Sequence, residues 1–227
     1  MPRETDAPSL GLPEPGPRTV ALGAGAVLLG GFAVAMEAEL LAGLDGVLGS
    51  SPFRHMVTPG GFPMSVAMSN CGIAGWVSDR TGYRYDRSDP ETGRPWPDMP
   101  YAFGRLAADA AERAGFPGFA PDACLINRYV PDARLTLHQD KNERDFGQPI
   151  VSVSLGLPAI FLWGGQTRAE RPCRVPLAHG DVVVWGGPVP KPGGDLLHVA
   201  HPTAEWCPHG RAGRPRPAHA QQERAGC

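Results

Sequence analysis

The sequence predicts an α+β domain that is mainly β, closed as a barrel or jelly roll, and three observations carry that expectation. Short β-branched or alternating runs recur at 123–130, 134–138, 150–157, 159–163 and 181–185, with turn residues between them. Five strands at such spacing suit a barrel or jelly roll. Thirty glycines and 26 prolines punctuate the 227 residues, which favours strands and turns over a bundle. Helical periodicity is confined to two segments, both before residue 115.

Taken in order, residues 1–17 are polar and Pro-rich, and read as a flexible tail. Residues 18–32 read as two short buried strands around a turn. The apolar run 20–36 is too short and too Gly-rich for a confident membrane span, and the residues before it lack a signal peptide's basic start. Met36, Leu40, Leu41, Leu44 and Leu48 fall at helical spacing, so 33–48 is predicted as a helix, ended by Ser50-Ser51-Pro52. Residues 53–100 are too long and too apolar for a simple connection and read as a hairpin plus an ordered lid. The Ala-rich segment 102–114 is a second helix stopped by Gly115. The five strands follow. After Pro188 the pattern breaks, with no strand-like run longer than Leu196-Leu197-His198-Val199.

Composition limits the function. A charge of −2 and a pI of about 6.4 are not those of a strongly basic nucleic-acid binder, so any such contact rests on a local patch. Five widely spaced cysteines without CxxC exclude a disulfide framework and a structural zinc site, and favour a reducing, cytoplasmic setting. Gly23-Ala24-Gly25 begins like a dinucleotide loop, but Leu28 stands where the third small residue belongs. Cys207, His209, His198 and His201 are spaced too irregularly for zinc.

The sharpest chemical signal is His138-Gln139-Asp140 at the end of a predicted strand. Residues i and i+2 of a strand face one side, so an imidazole and a carboxylate come together there. They are two of the three groups of a facial triad, which leaves metal positions open. Alone, H-x-D is a common chance pair.

Five longer segments give it context: MVTPGGFPMSVAMSNCG (56–72), PDACLINRY (121–129), LHQDKNE (137–143), IVSVSLGLPAIF (150–161) and HGDVVVWGG (179–187). In order and spacing they resemble the AlkB family of DNA-dealkylating dioxygenases, over about residues 15–187. The resemblance implies a double-stranded β-helix (jelly roll) with N-terminal helices and a nucleotide-recognition lid at about 53–100. It implies iron(II), 2-oxoglutarate as co-substrate and oxygen, with hydroxylation of an alkyl group on a base nitrogen and its release as an aldehyde. The implied partner is alkylated DNA, single-stranded or duplex, with RNA as an alternative, acted on by a monomer.

By the same resemblance, His138 and Asp140 are iron ligands and catalytic. Asn127, Arg128 and Tyr129 contact 2-oxoglutarate. Trp76, Tyr83, Arg84, Tyr85, Asn142, Glu143 and Arg168 meet the substrate. An aromatic platform suits an extruded base, and Arg80, Arg84 and Arg87 interleave with it as phosphate contacts. Asn142 replaces a residue that is often acidic in the family, which bears on lesion preference.

The resemblance stops after Gly187. Gly194 occupies the spacing expected for the second iron histidine, and His198, four residues later, is the nearest candidate. Arg211, Arg214 and Arg216 lie among Gly and Pro, not on a strand that could clamp a carboxylate. The abrupt break motivates the hypothesis that 188–227 is read out of frame, which resequencing the gene's 3′ end would test. Two other readings stand beside the dealkylase: a degenerate, non-catalytic family member that binds nucleic acid, and a jelly-roll oxygenase for a small molecule or protein.

Overall fold

The computed structural model describes residues 16–130, 133–135, 147–163 and 172–186, and the backbone of 200–202. It is mainly β with two α-helices. The N-terminal part contains β1 (Arg18–Gly23), β2 (Ala26–Gly30), a 3-10 turn (Val34–Met36) and α1 (Glu37–Ser50). Then come β3 (Ala67–Gly72), β4 (Gly75–Asp79), β5 (Gly82–Asp86), α2 (Tyr101–Arg113) and β6 (Ala123–Arg128). The C-terminal strands are β7 (Ile150–Val153), β8 (Ala159–Trp163), β9 (Cys173–Leu177), β10 (Val182–Trp185) and β11 (Ala200–Pro202). No described helix is long and apolar enough to cross a membrane.

Side-chain alternation on two central strands organises the packing. One sheet has the order β1-β2-β10-β7, a second β11-β8-β9, and all their pairings are antiparallel. Leu29, Val182 and Val184 pack with Leu40, Leu106 and Ala110 of the two helices. The alternate residues Leu28, Val183 and Trp185 pack with Phe161, Trp163 and Val175 of the second sheet. Strands β2 and β10 are therefore buried on both faces, which is why their sequences are continuous apolar runs. Each such side chain contributes about 1.5–3 kcal/mol relative to exposure. Trp185 sits 5.8 Å from Phe161 and meets Trp163 edge-on at 6.4 Å, ring centre to ring centre.

The helices follow their sequence signals. Glu37 and Glu39 lie in the first turn of α1, where a negative charge suits the helix dipole. Helix α2 buries Ala102, Leu106, Ala110 and Ala111. It stops where Gly115 takes φ +92°, with Phe116 N–H bonded to Ala111 O at 2.8 Å.

Several expectations are corrected. Strand β1 is mostly exposed, as a sheet edge, and only β2 is buried. The first helix begins with a 3-10 turn and runs to Ser50. The strand expected at 150–157 ends at Val153, because the chain turns through Gly156 at φ +94°. The strand expected at 123–130 ends at Arg128. Residues 133–135 form no strand, and 136–138 lie outside the described residues. Strands β9 and β11 were not expected. Pro176 masks the first, yet β9 is a sheet edge, where a missing N–H is tolerated.

Candidate functional site

Two small ladders from the 53–128 region build the candidate site. Strands β3 and β6 pair antiparallel with Met68 opposite Asn127 and Asn70 opposite Leu125. Strands β4 and β5 form a hairpin with Trp76 opposite Tyr85 and Ser78 opposite Tyr83. A buried cluster of Met56, Val66, Met68 and Ala133 joins them: Trp76 of the hairpin packs on it, as do Tyr129 and Leu135. The chain leaves the described residues just after Leu135, three positions before His138.

Alternation in the hairpin sorts its side chains. Trp76, Ser78, Tyr83 and Tyr85 share one face, and Val77, Asp79, Arg84 and Asp86 the other. On the first face Trp76 and Tyr83, diagonal neighbours, stack with ring centres 5.7 Å apart and planes 19° from parallel. Tyr83 is 47% exposed, so the platform is open to a ligand. On the second face Arg84 Nη1 donates to Asp79 at 2.9 Å, and its Nε lies 3.4 Å from Asp86. The expected phosphate contact at Arg84 thus has its charge engaged by two carboxylates of its own hairpin. Hydrogen bonds from Thr81 and then Arg84 hold the Asp79 carboxyl down at about 2.

At the end of β6 the structure separates the expected 2-oxoglutarate contacts. Asn127 faces the side of Met68, its register partner, and Tyr129 packs on the Met68 cluster. Arg128 lies over the Phe53 ring at 4.8 Å. Asn127 Oδ1 and Arg128 Nε are buried and make no hydrogen bond. A buried amide with an unspent group is costly unless something supplies its partner. Burial pushes the Tyr129 phenol well above its ordinary value, so it stays a neutral donor. The Asn127 Nδ2–H, the Tyr129 hydroxyl and the unspent Arg128 Nε–H can donate to a carboxylate, whereas Asn127 Oδ1 can only accept, so it is the donors of this set that fit 2-oxoglutarate. His138, Asp140, Asn142, Glu143, Arg168 and His198 lie outside the described residues. Among the described residues no three of His, Cys, Asp and Glu gather as metal ligands.

One residue the sequence did not single out is Asn70, fully buried on β3. Its Nδ2 donates to Trp76 O and its Oδ1 accepts from Trp76 N–H, both at 2.9 Å. A buried polar residue within the apolar MSNCG run was the available signal. Nearby, Arg54 pairs with Asp89 at 2.6 Å and lies over Trp96 at 5.4 Å. Burial pushes the Asp89 carboxyl up, but bonds from Arg54 and the Glu91 N–H outweigh it and hold it below its ordinary value. This brace ties the entry to β3 to the loop after β5.

Comparison with known proteins gives the arrangement a context. The family model of the 2OG-Fe(II) oxygenase superfamily matches residues 25–191. The alpha-ketoglutarate-dependent dioxygenase AlkB of Escherichia coli (strain K12) is 58% identical over 166 residues, which is 73% of this chain and 77% of the relative. The nucleic acid dioxygenase ALKBH1 of Mus musculus is 33% identical over 140 residues, 59% of this chain and 34% of that protein. Among solved structures, that of OsALKBH1 superposes with a TM-score of 0.67 at 27% identity, covering 81% of this chain and 88% of its own.

Proposed function

The chain belongs to the AlkB family within the 2OG-Fe(II) oxygenase superfamily, and we propose that its Trp76–Tyr83 platform receives the alkylated base. It is an iron(II)- and 2-oxoglutarate-dependent dioxygenase that oxidatively dealkylates nucleic-acid bases. Nothing in the comparisons favours the non-catalytic alternative. The substrate in this proposal is alkylated DNA, with RNA as the competing reading. The two larger sheets are read as the halves of a jelly roll, and residues 53–100 as a recognition lid.

The observation that carries the proposal is the near-parallel Trp76–Tyr83 pair sharing a floor with Tyr129. A base must leave its stack to be oxidised at a ring nitrogen substituent, and it needs a π surface to receive it. Stacking of that kind contributes about 1–3 kcal/mol per base. That Trp76 and Tyr129 pack on one cluster supports reading the platform as neighbouring the groups, Asn127 and Tyr129, that would bond 2-oxoglutarate. His138 and Asp140 would hold the iron. Bound there, iron(II) and 2-oxoglutarate would supply the oxidising chemistry, one atom of oxygen going to succinate as carbon dioxide is lost and the other hydroxylating the alkyl carbon, which would be released as an aldehyde. Asn142 and Glu143 follow the H-x-D pair directly, and with Arg168 they complete the substrate contacts of the proposal.

The test is formaldehyde release from methylated single-stranded DNA and RNA oligonucleotides given iron(II), ascorbate and 2-oxoglutarate. Release is expected from the DNA, lost in His138→Ala and reduced about ten- to a hundredfold in kcat/KM by Trp76→Ala. Release unchanged in His138→Ala would sink the assignment, and preference for the RNA would move the substrate.

A further inference from the structure

We infer that Asn70 is a positioning residue for substrate recognition: its side-chain amide fixes the backbone of Trp76 and so the pose of the ring that receives the base. The inference rests on the platform reading above and adds the group that holds the platform in place.

Among the described residues, strand β4 pairs with β5 along one edge only. In an antiparallel pair, alternate residues point their N–H and C=O groups away from the partner strand. Trp76 is such a residue, since both of its backbone groups go to Asn70 instead. Asn70 is 0% exposed and lies on β3, so its amide does for Trp76 what a neighbouring strand would do. A carboxamide is the smallest side chain that offers a donor and an acceptor in one plane at this spacing. Both bonds are 2.9 Å, which leaves the Trp76 backbone little freedom.

The adjoining residues show that this approach is built in. A Cβ on Gly75 would come within 2.8 Å of Asn70 Cβ and 2.5 Å of the Trp96 ring, so the position before Trp76 has no room for a side chain. Trp96 Nε1 in turn donates to Asp86 O at 2.9 Å, and Asp86 is the register partner of Gly75. The root of the hairpin is therefore held at two consecutive rungs, by Trp96 at Gly75–Asp86 and by Asn70 at Trp76–Tyr85. The tip carries Tyr83, half exposed. A ring anchored at the root and open at the tip suits a platform that must hold one orientation before a base arrives, which lowers the ordering cost of binding.

The experiment compares Asn70→Ala, Asn70→Asp and Trp76→Ala in the full-length protein. Asn70→Ala is expected to raise the KM for a methylated DNA oligonucleotide about tenfold, with kcat and the KM for 2-oxoglutarate within about twofold of wild type. Asn70→Asp supplies the informative pH profile. As a carboxylate it presents an acceptor to Trp76 O and repels it; as a neutral acid it can donate to Trp76 O and accept from Trp76 N–H, as the amide does. Its oligonucleotide affinity by fluorescence anisotropy, divided by that of wild type at each pH, should recover as the pH is lowered from about 8 to about 6, because burial favours the neutral acid. A flat ratio, or an Asn70→Ala protein with unchanged oligonucleotide KM while Trp76→Ala is impaired, overturns the role of Asn70 and leaves the platform standing. Trp76→Ala with normal oligonucleotide KM overturns the platform itself, and this inference with it. If Asn70→Ala does not fold, the Asn70→Asp profile decides.

Discussion

Asp79 accepts from the Thr81 hydroxyl, from the Thr81 N–H at 2.8 Å and from Arg84 Nη1 at 2.9 Å, all within one hairpin. These bonds stabilise the carboxylate, and its folded value of about 2 lies below the unfolded value of about 3.9. The stabilisation is therefore complete above the unfolded value and is lost as pH falls through about 2. A carboxyl titration of Asp79 by NMR should find its midpoint near 2, moving toward about 4 in Thr81→Ala or Arg84→Gln. A wild-type midpoint near 4 would show that the tip is not ordered by these bonds. The same geometry gives Arg84 partners that the sequence did not show. Interleaved with tyrosines, it read as a free cation for phosphate. Only the strand register shows that Asp79 and Asp86 share its face, and register depends on where the turn falls.

Strand β10 is the element on which the two larger cores depend, and its first contacts are made by Asp181. That carboxylate, 1% exposed, binds Arg18 at 2.6 Å, Gly31 N–H at 2.8 Å and Ala178 N–H at 2.9 Å. It thereby ties the edge strand β1 and the turn after β2 to the start of β10. Replacing Asp181 by Ala removes the acceptor of two backbone amides and one partner of the Arg18 guanidinium, at a cost of about 2–4 kcal/mol. Chemical denaturation should show that loss, with Arg18→Ala costing less because Asp181 keeps the Gly31 and Ala178 N–H donors; equal stability of Asp181→Ala and wild type would refute it. The strand itself was plain in the sequence as VVVW, since burial on both faces demands an uninterrupted apolar run. Strand β9, the partner of β8, was hidden because CRVPL carries an arginine and a proline. An edge strand tolerates both, so a pattern rule tuned to central strands passes over it. In the candidate site, Trp76, Tyr83, Asn127 and Tyr129 were singled out from the sequence through motif resemblance. The Asn70 bonds were not, because a buried asparagine reveals its partners only once two segments are packed together.

At the scale of the whole molecule, the family match ends at residue 191 while the chain runs on to 227. If His138 and Asp140 hold the iron as proposed, a site with three protein groups needs one further ligand, and the later part of the chain is where the family resemblance puts it. Ala200–Pro202 pairs with β8, His201 opposite Ile160, so the segment returns to the second sheet. His198 stands two residues before that strand, four residues later than the expected spacing. A ligand shifted in sequence still serves if the chain before the strand takes up the extra length, and loop length costs little. Iron(II) titration by equilibrium dialysis should then show His198→Ala weakening binding by about tenfold or more, alongside losses in His138→Ala and Asp140→Ala. Loss in His201→Ala instead would place the ligand on β11. Unchanged affinity in both variants would mean that this segment gives no histidine to the iron; replacing 188–227 by the matching segment of the Escherichia coli relative should then tighten iron binding, as expected if these residues are read out of frame.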